Sequence, residues 1–478
     1  MLSNEDNELV TNVKPGAPMG ELFRRFWLPV ALAEELPGPD CTPLRVTVLH
    51  EKLIAFRDTN GAIGLVDAFC PHRGAPLFFA RNEECGLRCV YHGWKFDVTG
   101  ACVDLPSAQE GDTFKDKIHI KSYPCMEVAG MVFAYMGPAD KKPAFPDFEW
   151  AHLPAGHTFV SKFRLECNYL QAMEGDYDPS HAAFLHSTLQ DVHIPNPLAP
   201  DWQNRNRLVP LDDPIPEDEP FPFAVGNRRY TAKVQEQSPT LEDTPAAVLS
   251  LGVRDLGDGR KMASAGAAWM MPIYCTARIA GRDTYSSNMR IPIDDGSLMF
   301  YRLRWKYEPL PEREIDEYKH GEYFYPPVIP GTWTTQDNVH NDYNVNRVAQ
   351  RNFSYTGMKT FPLQDIAMME NQWGPIAERT QEHLTSMDYM IIKVRRRLLA
   401  AAKAMAKGIE PEAPQHPEEY RWHREILMVE NVSDEAAREA AKAKSGEQRA
   451  KQTTAAKPAV ERATPAMTPA DQTAAVPG

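Results

Sequence analysis

The chain has 478 residues, 43% hydrophobic and 24% charged, enough for two or three domains around a large core. Its formal charge of −13 argues against nucleic acid or an anionic membrane surface as a partner. No uncharged apolar run is long enough to span a bilayer, and the acidic start MLSNEDNELV is unlike a secretory signal, so a cytoplasmic protein is expected. Eight cysteines show no paired framework, as expected of a reducing compartment.

Residues 1–36 open with a capping pattern, Ser3 with Asp6, followed by GELFRRFW, and are expected to form one or two short helices. Residues 37–146 change character. Short β-rich runs (LRVTVLH, KLIAFRD, AIGLVDAF, GMVFAYM) are separated by turn signals such as DTNG and VTG, which predicts a small antiparallel β domain. A Pro-rich stretch, 137–146, reads as its boundary.

Inside that domain lie Cys70-x-His72 and, 16 residues on, Cys89-x-x-His92. Two thiolates and two imidazoles can hold a Rieske 2Fe–2S centre, with the cysteines on one iron and the histidines on the other. Imidazole in place of thiolate leaves less negative charge, raising the potential to roughly −150 to +300 mV. A structural zinc site is the plain alternative, but zinc usually takes Cys-x2–4-Cys followed by His-x3–5-His. Here each short pair mixes one Cys with one His. Gly74 and Gly93 follow the histidines and allow tight turns. Cys85 has no histidine partner nearby and reads as an ordinary thiol.

Residues 147–430 read as a second domain of mixed pattern. A helical segment, NYLQAMEGDYDPSHAAFLH (168–186), comes first, strand-like runs such as AVLSLGV, AAWMMPIYCTARIA and SLMFYRLRW follow, and helices near 364–406 close it. The fold class expected is α+β: a β cluster domain, then an antiparallel sheet flanked by helices. The first segment carries Asp178-x-x-His181-x4-His186. Two imidazoles and a carboxylate make the facial triad of mononuclear non-haem iron(II), with open positions for dioxygen. Asp178 and His181 are three apart and would be neighbours on a helix. His181 and His186 are five apart, so a π-bulge or a helix end must bring them together. The carboxylate is open: Asp178 is close enough to orient His181 instead, which leaves Asp337, Asp342, Asp365 and Glu370 as distant candidates. The basic run Lys393–Arg397 lies in an amphipathic helix and reads as a solvated face. Residues 431–478 hold no aromatic residue and are rich in Ala, Lys, Glu, Thr and Pro, so a tail that is partly helical near 434–444 but cannot fold alone, and is otherwise disordered, is expected.

On PMGELFRRFWLP, FCPHRGAPLFFARNEECGLRCVYHGWKFD, ECNYLQAMEGDYDPSHAAFLH and QDIAMMENQWGPIAERTQEHL, the chain resembles the oxygenase (alpha) component of Rieske non-haem iron aromatic ring-hydroxylating oxygenases, phthalate 4,5-dioxygenase type, over about residues 1–405. The resemblance implies that Cys70, His72, Cys89 and His92 hold the 2Fe–2S cluster, and that His181, His186 and Asp365 bind mononuclear Fe(II). It implies that Asp178 bridges His181 to a Rieske histidine, His72 or His92, of a neighbouring subunit in a homotrimer or stacked trimers. Two departures are Asp176, where relatives often lack an acid, and Trp373, where many have a small residue.

No Gly-x-Gly-x-x-Gly follows a strand, so NAD(P)H is expected to act indirectly, through a separate flavin and iron–sulfur reductase or a ferredoxin. The expected chemistry is oxidation of a substituted aromatic acid by dioxygen, as ring hydroxylation or as O-demethylation of a methoxylated, lignin-derived acid. Arg207 could pair with such a carboxylate, or be a solvated surface residue. A Rieske electron carrier without catalysis would bind two irons per chain instead of three. A zinc-bound structural module would be colourless.

Overall fold

The computed structural model describes residues 2–109, 111–178, 180–186, 239–255, 259–278, 284–320, 324–352 and 354–453. The chain divides into two compact units. One is Trp27–Met136; the other joins the preceding Met1–Phe26 to the chain from Gly137 on.

The first unit is built of three small antiparallel sheets. β1 (Trp27–Leu32), β11 (Met131–Tyr135) and β10 (Cys125–Val128) form one, in the order β1-β11-β10. β2 (Leu44–Val48), β3 (Glu51–Arg57), β4 (Ile63–Asp67) and β9 (Ser122–Tyr123) form the second. β5 (Arg81–Glu83), β6 (Gly86–Arg88), β7 (Lys95–Phe96) and β8 (Cys102–Asp104) form the third. Phe56, Leu77, Leu87, Trp94 and Phe96 pack around Cys70 and Cys89. The unit begins earlier than the 37 expected from sequence. WLPVAL (27–32) is fully buried and pairs with β11 from Trp27↔Tyr135 to Leu32↔Met131, so it is a strand and not part of a helical lead-in.

The second unit holds an eight-stranded antiparallel sheet. Its path is β12 (Thr158–Leu165), β18 (Leu298–Trp305), β17 (Tyr285–Pro292), β16 (Tyr274–Arg278), β15 (Arg260–Met270), β14 (Ala247–Asp255) and β13 (Thr240–Asp243). β16 covers only the Trp269–Met270 end of β15, and β19 (Glu425–Glu430) pairs with the rest, Arg260–Ala265. Helices α1 (Asn4–Thr11), capped by the Ser3 side chain, and α2 (Pro18–Phe23) belong to this unit. The Tyr169 hydroxyl donates to the Val10 carbonyl (2.6 Å), and Asn168 Nδ2 donates to the Thr11 carbonyl (3.1 Å).

Helix α3 (Tyr169–Tyr177) starts at Asn168, whose side chain caps the Leu170 N–H. It packs on the sheet through Asp176, which accepts from Asn288 Nδ2 (2.9 Å) and pairs with Arg290. A four-residue helix, α4 (Ala182–Leu185), follows. Helix α5 (Phe361–Met369) is capped by Thr360 and carries Pro362 in its first turn, where a missing N–H costs nothing. Helix α6 (Tyr389–Met405) is tied to α3 by a buried ionic group. Arg395 binds Glu174 through both oxygens (2.5 and 2.8 Å) and also pairs with Glu382. The basic run is therefore not a solvated face throughout: Arg395 is buried, and Arg397 donates to the Ala247 and Pro245 carbonyls.

The expected disordered tail is also corrected: Asp434–Thr453 form helix α7, which runs beyond the 434–444 expected to be helical. Ala437 and Ala441, four apart, are fully buried against Leu251, Val253, Ala263 and Ala265, with Leu427 and Val429 of β19 alongside. Ala, Lys and Glu are strong helix formers, and the sheet face supplies the burial that the segment cannot supply alone. Residues 454–478 lie outside the described residues.

Candidate metal centres

Two loops present the first group of ligand-type side chains, and they repeat one backbone design. The Cys70 N–H donates to the Ala75 carbonyl (2.8 Å), and the Gly74 N–H donates to the Cys70 carbonyl (2.9 Å). In the second loop the Cys89 N–H donates to Trp94 (2.8 Å) and the Gly93 N–H to Cys89 (2.9 Å). Each loop closes through a glycine with positive φ, 72° at Gly74 and 79° at Gly93, which is why glycine stands there. Cys70 and Cys89 are buried. The rings of His72 and His92 lie 4.4 Å apart, and Trp94 stacks on His72 at 4.6 Å. Burial pushes the Cys70 thiol up to about 11, and the neighbouring Cys89 adds to this. Two buried thiols beside two juxtaposed imidazoles fit a cluster with a sulfur side and a nitrogen side. Cys85 is apart from them, its sulfur accepting from Asn60 Nδ2 (3.1 Å).

The second group is in the other unit. α3 ends at Tyr177, Asp178 is extended (φ −79°, ψ 112°), and His181 and His186 flank α4. A helix end, and not a π-bulge, brings the two histidines together, with rings 5.1 Å apart. His181, His186 and Asp365 each offer a ligand atom, all within 4.8 Å of one another. His181 Nδ1 lies 2.9 Å from the Asp178 carbonyl oxygen and 3.7 Å from its carboxylate. His186 Nδ1 lies 2.7 Å from Gln364 Oε1. Each imidazole is thus held at Nδ1, and each turns Nε2 toward Asp365 Oδ1, at 3.6 Å from His181 and 3.1 Å from His186. His186 Nε2 is buried and makes no hydrogen bond of acceptable geometry despite that contact. An orphaned, buried nitrogen aimed between a second imidazole and a carboxylate fits a metal ion.

Burial opposes ionisation of Asp365, but the charges of His186, His181 and Arg302 outweigh it and keep the carboxyl below its usual range. Burial likewise opposes charge on Asp178, but the neighbouring His181 ring and the Ser180 N–H (2.7 Å) together outweigh it and keep the carboxyl below its usual range. The other carboxylates weighed from sequence are elsewhere. Glu370 accepts from the Tyr343 hydroxyl (2.6 Å) and the Glu166 N–H (2.7 Å). Asp337 accepts from Asn344 (2.5 Å). Asp342 is exposed at a positive φ of 49°. Arg207 lies outside the described residues. Gln364 was missed from sequence; its position next to Asp365, on a helix with a buried face, is the signal that could have found it.

Beside the triad opens a cavity of about 840 Å³, lined by Asp178, His181, Asp365, Phe184, Tyr355 and Trp373 among others. Its size and aromatic lining suit a small apolar ring. Among the described residues no helix is long and apolar enough to cross a membrane.

Comparison with known proteins covers both units. Residues 26–124 match the Rieske [2Fe-2S] domain family, and residues 134–202 and 267–432 match the LigXa C-terminal domain like family. The chain is 34% identical over 410 residues to a phthalate 4,5-dioxygenase oxygenase subunit of Pseudomonas putida, covering 85% of this chain and 88% of that one. It is 29% identical over 423 residues to a 5,5'-dehydrodivanillate O-demethylase oxygenase subunit of Sphingobium sp., covering 86% and 83%. Among solved structures, dicamba monooxygenase bound to dicamba shares the fold with a TM-score of 0.53 at 17% identity, over 80% of this chain and 98% of that one.

Proposed function

Because this chain belongs to the Rieske non-haem iron ring-hydroxylating oxygenases, as an oxygenase component of the phthalate 4,5-dioxygenase type, we propose that His181, His186 and Asp365 hold its iron and that its substrate is a substituted aromatic acid. Membership makes the chain an oxidoreductase that incorporates oxygen, with a Rieske [2Fe-2S] cluster, a mononuclear iron, and electrons drawn from NAD(P)H through a separate reductase. The observation that carries the ligand reading is the pair of imidazoles held at Nδ1, by Asp178 and Gln364, with both Nε2 atoms turned to Asp365. The loops of Cys70, His72, Cys89 and His92 are the matching proposal for the cluster.

When bound, the two groups supply one-electron chemistry and, at the triad, open coordination positions. This chain's own residues do the rest. Asp178 and Gln364 fix the imidazole tautomers, so that lone pairs and not protons face the metal. Phe184, Tyr355 and Trp373 line the cavity and offer an apolar wall to a ring. Dihydroxylation balances as substrate, O2, NADH and H+ giving a cis-diol and NAD+. O-demethylation of a methoxy acid uses the same reactants and gives the phenol, formaldehyde, water and NAD+. The relatives named above are a ring dioxygenase and an O-demethylase, which supports either outcome on an aromatic acid.

The proposed assembly is a head-to-tail homotrimer, or stacked trimers, in which Asp178 links His181 to His72 or His92 of a neighbour. Exposed apolar residues beside the cluster loops (Phe69, Phe79, Val90, Tyr91) and beside the triad (Met368, Trp373) support two complementary faces to be covered. None of the eight cysteines is paired in a disulfide, which supports a reducing, cytoplasmic setting.

The test is a single turnover. The purified protein is reduced without dioxygen, given one aromatic acid at a time, then exposed to dioxygen while the Rieske absorbance is followed. Substrate-dependent reoxidation with a diol or phenol product is expected, or formaldehyde with a demethylated acid. Reoxidation indifferent to every acid, without product, would refute the aromatic-acid reading and favour an electron carrier.

A further inference from the structure

One stretch of chain, 345–358, supplies Val345, Arg347, Gln350, Tyr355, Thr356 and Met358 to the lining of the cavity that His181 and Asp365 also line. The stretch is closed on itself. The Asn346 N–H donates to the Gly357 carbonyl (3.0 Å), and the Gly357 N–H donates to Ser354 Oγ (2.7 Å). Between them lies a short helix, Arg347–Asn352, where the Ala349 N–H donates to Asn346 Oδ1 (2.8 Å).

This loop is fixed to both elements that carry the triad. The Tyr343 hydroxyl donates to Glu370 Oε2 (2.6 Å) and accepts from Asn371 Nδ2 (3.1 Å), at the C-terminal end of α5, the helix of Asp365. Farther along, the Tyr355 ring lies 5.7 Å from that of Phe184, on α4 between His181 and His186. At the foot of the loop three successive residues, Asp342, Tyr343 and Asn344, have φ of 49°, 52° and 46°. Non-glycine residues seldom take this left-handed conformation, and such strain gathers at ligand clamps, where surrounding contacts hold it in place.

Among the described residues, two arginines line the cavity, Arg347 and Arg395. Arg395 is buried and engaged by both oxygens of Glu174 and by Glu382. Arg347 is exposed, and its Nη1 donates to Gln350 Oε1 (2.8 Å), on another lining residue. That bond orients the guanidinium through one nitrogen, and its partner carries no charge.

We propose that Arg347 receives the carboxylate of the aromatic substrate, with the ring lying along Tyr355 and Phe184, and so sets the preference for acids over neutral rings. The proposal rests on the aromatic-acid reading above and deepens it by naming a residue that sets specificity. A guanidinium fork can give a carboxylate two parallel N–H···O bonds. Tyr355 and Phe184 offer the ring the edge-to-face or offset stacking that aromatic pairs favour. A cavity of about 840 Å³ has room for ring and carboxylate together. Arg207, the anchor weighed from sequence, becomes the comparison.

The experiment is calorimetric titration of the reduced holoenzyme, without dioxygen, with benzoate, phthalate and 3-methoxybenzoate, each paired with its neutral amide. Wild type, Arg347→Gln, Arg347→Glu and Arg207→Gln are compared, with cluster absorbance and iron content as controls of integrity. Arg347→Gln is expected to weaken an acid that wild type binds by about 10-fold, the low end for a bond to a charged group, because water competes for an exposed guanidinium. Arg347→Glu should weaken it further, since two carboxylates then meet. Either variant should leave the amide within about 2-fold, inside the scatter of a surface change. Equal weakening of acid and amide would make Arg347 a prop of the loop and overturn the proposal. So would unchanged acid binding in both Arg347 variants; a loss confined to Arg207→Gln would then place the carboxylate there, with the aromatic-acid reading intact. Wild type that binds none of the three acids would overturn that reading, and the Arg347 proposal with it.

Discussion

Replacing Gln364 by Leu tests how the triad is held without touching a ligand. Gln364 is buried, and its Oε1 lies 2.7 Å from His186 Nδ1. With that acceptor present, the proton resides on Nδ1 and the Nε2 lone pair faces Asp365. Leucine fills much the same volume but leaves a buried imidazole N–H unpaired. An unsatisfied buried donor costs about 1–3 kcal/mol, which at about 1.4 kcal/mol per decade is roughly 5- to 150-fold in metal affinity. This agrees with the 10- to 100-fold, about 1.4–2.7 kcal/mol, typical of partners that orient metal-bound histidines. Iron per chain, measured against a competing chelator, should fall accordingly while the Rieske absorbance is unchanged. Gln364→Glu keeps an acceptor at the same reach and should restore binding. Wild-type iron affinity in Gln364→Leu would refute the role given to the Nδ1 contact. A parallel loss of the Rieske signal would show general damage, which the geometry does not predict.

Asp365→Ala should lose mononuclear iron and keep the Rieske spectrum, and unchanged iron content would move the third ligand elsewhere. Asp178→Asn should retain both metals yet lose turnover if Asp178 links His181 to a neighbour as proposed; normal turnover would remove the bridging role. Glu174→Gln leaves Arg395 and Arg379 facing one fewer carboxylate in a buried site, and should destabilise the second unit by about 3–5 kcal/mol in denaturant unfolding. A loss under about 1 kcal/mol would mean the ion group is solvated. His423 lies between Glu149 (2.5 Å) and Glu425 (3.0 Å), near Arg278 and Tyr285; burial opposes its charge, but the carboxylates outweigh burial and raise it to about 9. A folded pKa above the unfolded value of about 6.5 stabilises fully below pH 6.5, and this is lost as pH rises through about 9, on the order of 3 kcal/mol. Thermal unfolding from pH 6 to 9.5 should show a fall that His423→Gln abolishes, and a parallel fall in that variant would assign it to other groups.

Legibility followed sequence distance. The cluster loops were readable because each packs its chemistry into a few residues, with Gly74 and Gly93 marking the turns that close them. Gln364 was harder to read: its place beside Asp365 on a buried helix face is a local signal, but it does not by itself tell an orienting glutamine from a structural one. Only the tertiary meeting of α5 with α4 gives it its partner. In the tail the helix near 434–444 was legible, and its docking was not, for the same reason. Its composition correctly says that it cannot fold alone. But Ala437 and Ala441 need only a ready apolar face, and Leu251, Val253 and Ala263 provide it from nearly two hundred residues upstream.

The break between α3 and α4 was within reach of the sequence. The sequence places a helical segment over 168–186, with Asp178 and His181 three apart as neighbours on a helix and a π-bulge or helix end before His186. The residue after Asp178 is Pro179, and a residue before proline is driven out of the helical region toward extended backbone. Asp178 is extended, at φ −79° and ψ 112°. That break turns the Asp178 carbonyl, and not a helical neighbour's side chain, onto His181 Nδ1. Asp178 lies on the Nδ1 side of the His181 ring, while Asp365 faces both Nε2 atoms, which supports the tasks proposed for the two carboxylates. Replacing Pro179 by Ala would test this: relieved of the proline, the chain could continue α3 through Asp178, turning His181 away. Iron content should fall although no ligand is changed, with helicity slightly raised in the far-ultraviolet circular dichroism. Retention of iron at wild-type affinity would mean that the break is enforced by the packing of α3 and α5, not by the proline.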